Sequence, residues 1–376
     1  MAVRIKKVET KAEMNDFIEF PKKLYADCPY YVPDLDIDVR NTFDLRKNAS
    51  LECSEVQPFI AYNEVNVPVG RIAAIINHRA NKKWNVRNMR FSFLDFIDDI
   101  EVSSALFEAA FEWGRAKGMD TAQGPLGFFD FDKEGMLVDD FDKLGSIVTF
   151  YNYPYYPIHL EKLGFQKEAD WIQIHIDMPK EMPAKFARVA QFVKNRFKLH
   201  IVKFTDKELK GNKGKDIFHL LNMAYSHLFG YTEYSDSQVN QIVNQFISLV
   251  DKRMITGIET ENNELVGIAI TMASLSNAMR KTNGKLMPFG WFHLLKALKW
   301  KMEDTVEMLL IAVHPKYQGL GINTLFFDDL ISIYNKLGFK YAETGPQLET
   351  NHKELSQWDM FNPQYIKRRR CYKKEI

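Results

Sequence analysis

Residues 307–329, EMLLIAVHPKYQGLGINTLFFDD, contain the strongest structural signal in this chain. An apolar segment is followed at once by a turn with two glycines, Gly319 and Gly321, and then by the apolar spacing of an amphipathic helix. Glycine lets a backbone approach a ligand closely, and the N–H groups at a helix start bind phosphate. Neither a P-loop nor the GxGxxG dinucleotide fingerprint matches. The segment therefore predicts a strand, a turn and a helix. The turn is predicted to bind a phosphate-containing ligand by a pattern different from those two motifs.

A similar arrangement occurs in the first half of the chain. Residues 101–117 have the apolar spacing of a helix and are followed by Gly118, as residues 322–337 are followed by Gly338. After each of these helices, the sequence predicts a strand that leads to a Gly-Pro pair. The agreement indicates an internal repeat.

Two strand-like segments support the repeat, because PVGRIAAI (68–75) resembles LVGIAITM (265–272). Strand and helix patterns alternate throughout, which predicts a mixed α/β fold in two copies. We place the first domain at residues 1–178 and the second at residues 179–376, because prolines flank a short charged linker at this point.

Composition limits the classes of function. The chain has 376 residues and is 46% hydrophobic, which is enough for two packed cores. It has 50 basic and 49 acidic side chains, so it lacks the large positive net charge that would favour binding to nucleic acid. Three cysteines without a CxxC motif argue against disulfides and a metal site, and they favour a cytoplasmic protein. The longest apolar run, Met308–Val313, is too short to span a membrane.

The segment around Gln318 resembles motif A of the Gcn5-related N-acyltransferases (GNAT), which cradles the pyrophosphate of coenzyme A. Gln318, Gly319 and Gly321 match the family pattern, whereas Asn323 replaces its final small residue. The resemblance implies that the strand before the turn separates from its neighbour and offers a backbone N–H group of Leu310, Ile311, Ala312 or Val313 to a thioester carbonyl. The implied cofactor-binding residues are Ile311, Val313, Gln318, Gly319, Leu320, Gly321, Ile322, Asn323 and Asn351.

The first half resembles the same fold without a cofactor site. Asp98, Asp99 and Glu101 stand at the predicted helix start, where negative charge repels pyrophosphate. This half contains instead an aromatic and acidic segment at 124–142, followed by a tyrosine-rich segment at 151–165. Its side chains are predicted to line an acceptor pocket or to pack in a loop between domains. The candidate substrate residues are Glu134, Tyr151, Asn152, Tyr155 and Tyr156.

Nearly the whole chain resembles the tandem acyltransferase family that contains bacterial ceramide synthases and the YghO-like proteins. The resemblance rests on Gly124, Pro125, Glu134, Gly135, Leu137, Val138, Phe141, Asp142, Tyr151, Asn152, Pro154, Tyr155, Tyr156, Gly164, Phe165, Glu349, Asn351, Tyr365, Lys367, Tyr372 and Lys374. It implies an acyl-CoA-dependent N-acyltransferase and, for the ceramide branch, a sphingoid long-chain amine as the acceptor. A small soluble amine and an acyl-CoA-binding role without turnover are the alternatives.

Amide formation requires a base, because an aliphatic amine with a pKa of about 10 is protonated at neutral pH. We predict Glu349 as this base and Glu307 as the second candidate. Tyr372, on a predicted final strand, is the candidate acid for the leaving thiolate. A solvated strand end is the alternative for Glu307, and a core position is the alternative for Tyr372. The sequence contains no GxSxG or HExxH motif that would support a serine nucleophile or metal-dependent hydrolysis.

Two basic segments have more than one interpretation. Residues 286–302, LMPFGWFHLLKALKWKM, predict an amphipathic helix that either contacts a membrane surface and delivers a lipid substrate or packs in the core with a lysine face. The first alternative implies a cytoplasmic protein peripheral to the inner membrane. Residues 367–374, KRRRCYKK, either bind the 3′-phosphate of coenzyme A or form a solvated edge strand.

Overall fold

The structure is a computed structural model that describes residues 2–246, 249–300 and 303–376. Strands alternate with helices along the first part of the chain. The strands are β1 Arg4–Lys7, β2 Ser54–Tyr62, β3 Pro68–Asn77, β4 Asn88–Phe96, β5 Thr121–Gly124, β6 Met136–Leu137 and β7 Gln166–Asp177. The helices are α1 Lys11–Leu24, α2 Asp36–Thr42, α3 His78–Trp84, α4 Ile100–Ala116 and α5 Tyr155–Lys162.

The same alternation continues after β7. The strands are β8 Leu199–Val202, β9 Ile255–Thr260, β10 Leu265–Ala273, β11 Thr305–Val313, β12 Tyr341–Thr344, β13 Gln347–Leu348 and β14 Gln364–Glu375. The helices are α6 Ala184–Phe197, α7 Asp206–Lys210, α8 Asn212–Tyr225, α9 Asp236–Phe246, α10 Ser276–Thr282, α11 Gly290–Lys299, α12 Asn323–Leu337 and α13 His352–Ser356.

The chain forms two compact units. The first unit contains Met1–Ile172, Leu275–Leu295 and Lys367–Ile376. Its strand order is β1-β2-β3-β4-β5-β14 followed by the first part of β7, and β4 and β5 run parallel. Helix α4 packs on β3 and β2, and its apolar side chains lie in a core with those of β3 and β4.

The second unit contains Gln173–Ser274 and Lys296–Ile366. Its strand order is the last part of β7 followed by β12-β11-β10-β9-β8, and β11 and β12 run parallel. Helices α6 and α12 pack against each other, and α8 packs against β10 and β11. The core of this unit contains Val193 of α6, Phe326 of α12 and Val306 of β11.

The predicted mixed α/β fold is confirmed. Helix α4, predicted at 101–117, is Ile100–Ala116, and α12, predicted at 322–337, is Asn323–Leu337 with Gly338 as its left-handed cap. The division into two acyltransferase-like domains at residue 178 stays a prediction.

The amphipathic segment at 286–302 forms a helix, α11, of which only Ala297 is buried. Its aromatic side chains Trp291 and Phe292 are exposed, so the alternative of a core helix is wrong. Lys301 and Met302 lie outside the described residues. Among the described residues, no helix has the length and apolar character needed to cross a membrane.

Candidate functional site

An opening lies beside β11. The pairing of β10 with β11 shifts after the Ile270–Leu310 pair, so that Thr271 pairs with Met308 and Leu309 forms a bulge. On its other side, β11 pairs with β12 only from Thr305 to Met308. No described strand continues this pairing, because the chain turns away at Gly345. Residues 309–313 therefore form one wall of an opening.

The backbone groups of Ile311 and Val313 face this opening. The carbonyl oxygen of Ile311 accepts a hydrogen bond from the Tyr225 hydroxyl at 2.7 Å, and that of Val313 accepts one from Nε2 of Gln318 at 3.0 Å. By contrast, His314 donates its N–H to Val266 of β10. In a strand the N–H and C=O of one residue point to the same side. The predicted donors Ile311 and Val313 therefore direct their N–H groups into the opening.

The turn before α12 places backbone N–H groups at the start of a helix. Gly319 and Gly321 have φ values of 75° and 82°, the left-handed region that favours glycine. Across residues 2–246, 249–300 and 303–376, no protein group accepts a hydrogen bond from the N–H groups of residues 319–322. This arrangement is suited to an anion such as pyrophosphate, because these donors stand at the positive end of a helix.

The two glycines differ in their surroundings. A Cβ atom on Gly319 would meet nothing within 4 Å. A Cβ atom on Gly321 would lie 3.2 Å from Val189 and 3.4 Å from Val193, both in α6. Gly321 therefore also permits the close packing of α6 on the turn, whereas Gly319 is required by its backbone conformation alone.

Asn323, the departure from the motif, has a structural partner. Its Nδ2 donates to Oε1 of Gln357 at 2.7 Å, so its side chain connects the start of α12 to the segment after β12. In that segment, Nε2 of Gln347 donates to Glu354 at 3.4 Å, and burial raises the pKa of Glu354 to about 7. Asn351 caps α13 by accepting the N–H of Glu354. Gln357 and Glu354 carry no motif in the sequence, so pattern reasoning missed them.

Glu307 is buried at the start of β11 and accepts a hydrogen bond from the Ser274 hydroxyl at 2.8 Å. In the sheet register, Glu307 pairs with Glu343 of β12, and Glu343 pairs with His175 of β7. Nδ1 of His175 lies 3.3 Å from Oε1 of Glu343. Register partners on adjacent strands point to the same face. These three side chains therefore form a polar row across three strands, the titratable row.

The other predicted catalytic residues lie elsewhere. Glu349 follows β13 and is partly buried in the second unit. Tyr372 is in the core of the first unit, where its hydroxyl donates to Glu161 at 3.3 Å and burial raises its pKa to about 12. The structure thus groups Glu307 and Glu349 with the motif, and it groups Tyr372 with the first unit.

The predicted substrate residues all belong to the first unit. Tyr155 donates its hydroxyl to the Phe96 carbonyl at 2.6 Å, and the Tyr156 hydroxyl accepts the Phe96 N–H at 3.1 Å. Asn152 exchanges two hydrogen bonds with the backbone of Leu137. These side chains make specific contacts inside the unit.

The two remaining substrate candidates are Tyr151 and Glu134. Tyr151 donates its hydroxyl to the Phe141 carbonyl at 3.0 Å and lies in the core. Burial holds the pKa of Glu134 well above its usual value. Their role in acceptor binding stays a prediction.

The start of α4 is occupied by protein groups. Asp99 caps the helix by accepting the N–H of Glu101 at 2.9 Å. Asp98 contacts Nε2 of His159 at 2.9 Å, and Nδ1 of the same ring contacts the Ser103 hydroxyl. A second anion at this helix start would compete with two carboxylates.

The basic run at 367–374 is part of β14, which lies between β5 and β7. The alternative of an edge strand is therefore wrong. Arg368 and Arg370 both contact the buried carboxylate of Asp170, at 3.1 and 2.9 Å. These arginines have protein partners within the first unit.

Comparison with known proteins supports the resemblance inferred from the sequence. No protein-family model matches the chain. The chain is 26% identical over 373 residues to Protein YghO of Escherichia coli, which covers 97% of this chain and 94% of that protein. It is 27% identical over 314 residues to the bacterial ceramide synthase of Caulobacter vibrioides, which covers 83% of this chain and 80% of that protein.

Among solved structures, a tandem GNAT protein from the clavulanic acid biosynthesis pathway covers 100% of this chain and 98% of its own, with a TM-score of 0.58 and 12% identity. This chain has the tandem GNAT fold. The GNAT fold therefore contains the bulged strand, the opening and the glycine turn of the second half. The resemblance to the YghO and ceramide synthase relatives is confirmed.

Proposed function

We propose that this protein transfers an acyl group from a coenzyme A thioester to an amine. The observation that carries the proposal is the opening beside β11, together with the turn at residues 319–322, whose N–H groups have no acceptor among the described residues. One end offers donors for a pyrophosphate, and the other offers backbone donors for a carbonyl oxygen. The GNAT fold of the chain supports the same activity, as does its likeness to a structure named a GCN5-related N-acetyltransferase.

In the proposed reaction, the thioester carbonyl accepts the N–H groups of Ile311 and Val313. These donors stabilise the negative charge that develops on the oxygen when the amine attacks. A carbon–nitrogen bond forms, the carbon–sulfur bond breaks, and the coenzyme A thiolate leaves with the electron pair. The amine loses one proton to a base, and the thiolate takes one proton from an acid or from water.

Glu307 is our first candidate for the base, and Glu349, which the sequence favoured, is the second. Glu307 is on the strand that forms the opening, and Ser274 holds its carboxylate in place. In the titratable row, Glu343 and His175 extend from the buried Glu307 toward partly exposed positions. Such a row supports proton transfer, because it gives a buried base neighbours that exchange protons.

Tyr225 is a candidate acid that the sequence did not single out. Its hydroxyl lies 2.7 Å from the Ile311 carbonyl, at the wall of the opening. A leaving thiolate beside Ile311 would be within reach of this hydroxyl. Tyr372, the candidate from the sequence, is the alternative proposal for the same role.

The acceptor we propose is a lipid-like long-chain amine, met by a cytoplasmic protein at the membrane periphery. Similarity to a protein named bacterial ceramide synthase supports this choice, as do the exposed apolar side chains of residues 287–300. A small soluble amine is the second candidate, because the structural neighbours with this fold are named N-acetyltransferases. A binding protein without turnover is the third.

Calorimetric titration with acetyl-CoA, palmitoyl-CoA and free coenzyme A tests the proposal. Gly319→Asp places a carboxylate in the turn without a steric clash, whereas Gly321→Asp would also disturb α6. Gly338→Asp is the matched control, because Gly338 caps the other end of the same helix with φ 84° and open space around it. We expect Gly319→Asp to weaken all three ligands at least tenfold and Gly338→Asp to change little.

The outcomes separate the candidate functions. Tighter binding of palmitoyl-CoA than of acetyl-CoA supports a long-chain acyl donor, and turnover with a sphingoid amine then establishes the acceptor. Turnover of a small amine alone favours the second candidate. Binding without turnover of any amine favours the third, and no binding of any coenzyme A species overturns the proposal.

A further inference from the structure

The two repeats differ by an insertion. In the first repeat, α3 ends at Asn85, a left-handed cap with φ 53°, and only Val86 and Arg87 precede β4. In the second repeat, α10 has the same length and ends at Asn283, a left-handed cap with φ 47°. Residues 284–304 then separate this cap from β11. The insertion contains α11.

The first repeat shows that the fold closes without this insertion. Two residues are enough to connect the helix cap to the next strand, so the connection itself does not require a longer segment. A long insertion in a compact domain orders residues at an entropic cost, and such segments commonly have a functional role. Closure of the fold therefore does not account for the length of the insertion.

Five of its large apolar side chains are exposed to solvent, whereas its leucines are partly buried. Met287 and Phe289 are each 74% exposed, and Trp291 is 47% exposed. Phe292 and Trp300 are also exposed, whereas Ala297 is the residue of α11 that is buried. Large apolar side chains concentrated in one exposed segment mark an interaction surface.

The charge of the insertion indicates the partner. Residues 284–304 contain four lysines, and their two acidic residues, Glu303 and Asp304, both lie at the end next to β11, although the whole chain has nearly equal numbers of acidic and basic residues. Lys296 and Lys299 are exposed on α11, as are Trp291 and Phe292. Lysine stems lie along apolar material while their ammonium groups reach an anionic surface, and tryptophan prefers the boundary between lipid and water.

We infer that residues 284–300 dock this protein on the surface of an anionic lipid bilayer. In this arrangement, Met287, Phe289 and Trp291 enter the boundary between headgroups and acyl chains, and Lys296 and Lys299 contact lipid phosphates. The excess of positive charge favours this occupant over a second copy of the chain, because two such surfaces would repel each other.

Cosedimentation with vesicles tests the inference on the full chain. The probes are vesicles of phosphatidylcholine alone and vesicles that also contain phosphatidylglycerol. The test variant is Phe289→Ser with Trp291→Ser. The matched control is Leu45→Ser with Val65→Ser, since these side chains are apolar and 78% and 75% exposed. A third variant, Lys296→Glu with Lys299→Glu, tests the charge.

We expect wild type to bind the anionic vesicles at least tenfold more tightly than the neutral ones. The aromatic variant should lose at least tenfold in affinity for anionic vesicles, and the control should bind like wild type. The lysine variant should lose the preference for anionic lipid. Binding is measured without substrate, so the inference stands or fails independently of acyl transfer.

Two results would overturn the inference. One is equal vesicle binding by the aromatic variant and the control. The other is a concentration-dependent dimer of the wild type, seen by sedimentation velocity without lipid, that the aromatic variant abolishes. In that case a second copy of the chain is the occupant.

Discussion

Strand β4 in the first half and strand β11 in the second have the same place in their repeats. Ile97 donates its N–H to Val69 at 3.0 Å, as His314 donates to Val266 at 2.9 Å. Each strand carries a register shift against its antiparallel neighbour. Each also pairs in parallel with the following strand over a short length, from which it then separates. Both halves therefore contain the same strand frame, which in the second half borders the opening beside β11.

The two frames contain different side chains. Phe96, the counterpart of Val313, has its N–H bound by Tyr156 and its carbonyl by Tyr155. At the start of α4, the His159 and Asp98 side chains contact each other, whereas the start of α12 in the second half has the turn at residues 319–322. A backbone donor that a buried tyrosine already satisfies is not available to a thioester.

The most telling pair is Arg90 and Glu307, which have equivalent register positions. Arg90 pairs with Ile75 and Gln123, and Glu307 pairs with Met272 and Glu343. The Arg90 guanidinium donates to the carbonyl of Gly127 at 3.0 Å and so holds the following loop in place. The same position thus carries a structural cation in one half and a candidate base in the other.

The largest expected effect comes from Glu307→Gln. If Glu307 accepts the proton of the amine, kcat should fall about 100-fold or more, whereas the affinity for coenzyme A should not change. Steady-state kinetics with calorimetry on the same samples check this expectation.

Glu349→Gln is the competing variant for this experiment. A large loss of kcat in Glu349→Gln, with normal turnover in Glu307→Gln, would transfer the role of base to Glu349. It would also remove the functional contrast between Glu307 and Arg90.

The next effect concerns pH and the segment that contacts the start of α12. Burial raises the pKa of Glu354 to about 7 in the folded protein, so the folded state holds its proton more tightly than the unfolded state. The free energy of unfolding should therefore decrease as pH rises from about 5 to 8. Replacement by Gln should remove about 2 kcal/mol of this decrease, as measured by urea unfolding at both pH values.

Glu349→Gln, which alters a carboxylate in the same segment, is the control for the pH experiment. It should retain the decrease seen in wild type. An unchanged pH dependence in Glu354→Gln would show that Glu354 does not gain its proton on folding.

Tyr156→Phe tests whether the region around Phe96 in the first half has a structural role only. The change leaves the Phe96 N–H without its acceptor and removes one of two partners of the Tyr25 hydroxyl, which lies 2.7 Å from that of Tyr156 and also donates to Asp95. The free energy of unfolding should fall by about 2 kcal/mol, and coenzyme A affinity should stay the same. Urea unfolding and calorimetry check both expectations.

Tyr365→Phe, at an exposed tyrosine, is the control and should change stability by less than about 0.5 kcal/mol. Weaker coenzyme A binding in Tyr156→Phe would contradict the contrast between the halves, since it would involve the first half in cofactor binding.

The smallest expected effect is that of Tyr225→Phe. If this hydroxyl protonates the leaving thiolate, kcat should fall about tenfold, because water can replace it. Tyr231→Phe is the matched control, since that hydroxyl donates to Asn222 at 2.7 Å in the same region of the chain. Equal kinetic losses in the two variants would assign Tyr225 a structural role only.

Local sequence patterns predicted the elements that depend on local interactions. Apolar spacing and a terminal glycine located α4 and α12 to within a residue or two. The glycines before α12 predicted a turn of positive φ, which Gly319 and Gly321 adopt. These features follow from chain stereochemistry and from the burial of one helix face. Each of these two causes produces a residue pattern that can be recognised within a short stretch of sequence.

The composition of the site depended on tertiary structure. Sequence patterns did not connect His175 with Glu307, because their relation runs through the register of three strands. Sequence patterns also did not separate the roles of two tyrosines. Tyr155 binds the Phe96 carbonyl in the first half, whereas Tyr225 binds the Ile311 carbonyl at the wall of the opening in the second half. Strand register and bulges are fixed by the packing of distant segments, so no local pattern encodes them. The sequence by itself thus determined the repeated fold, its phosphate-type turn and the expectation that only the second repeat holds a cofactor site, and the tertiary structure decided which side chains surround the opening.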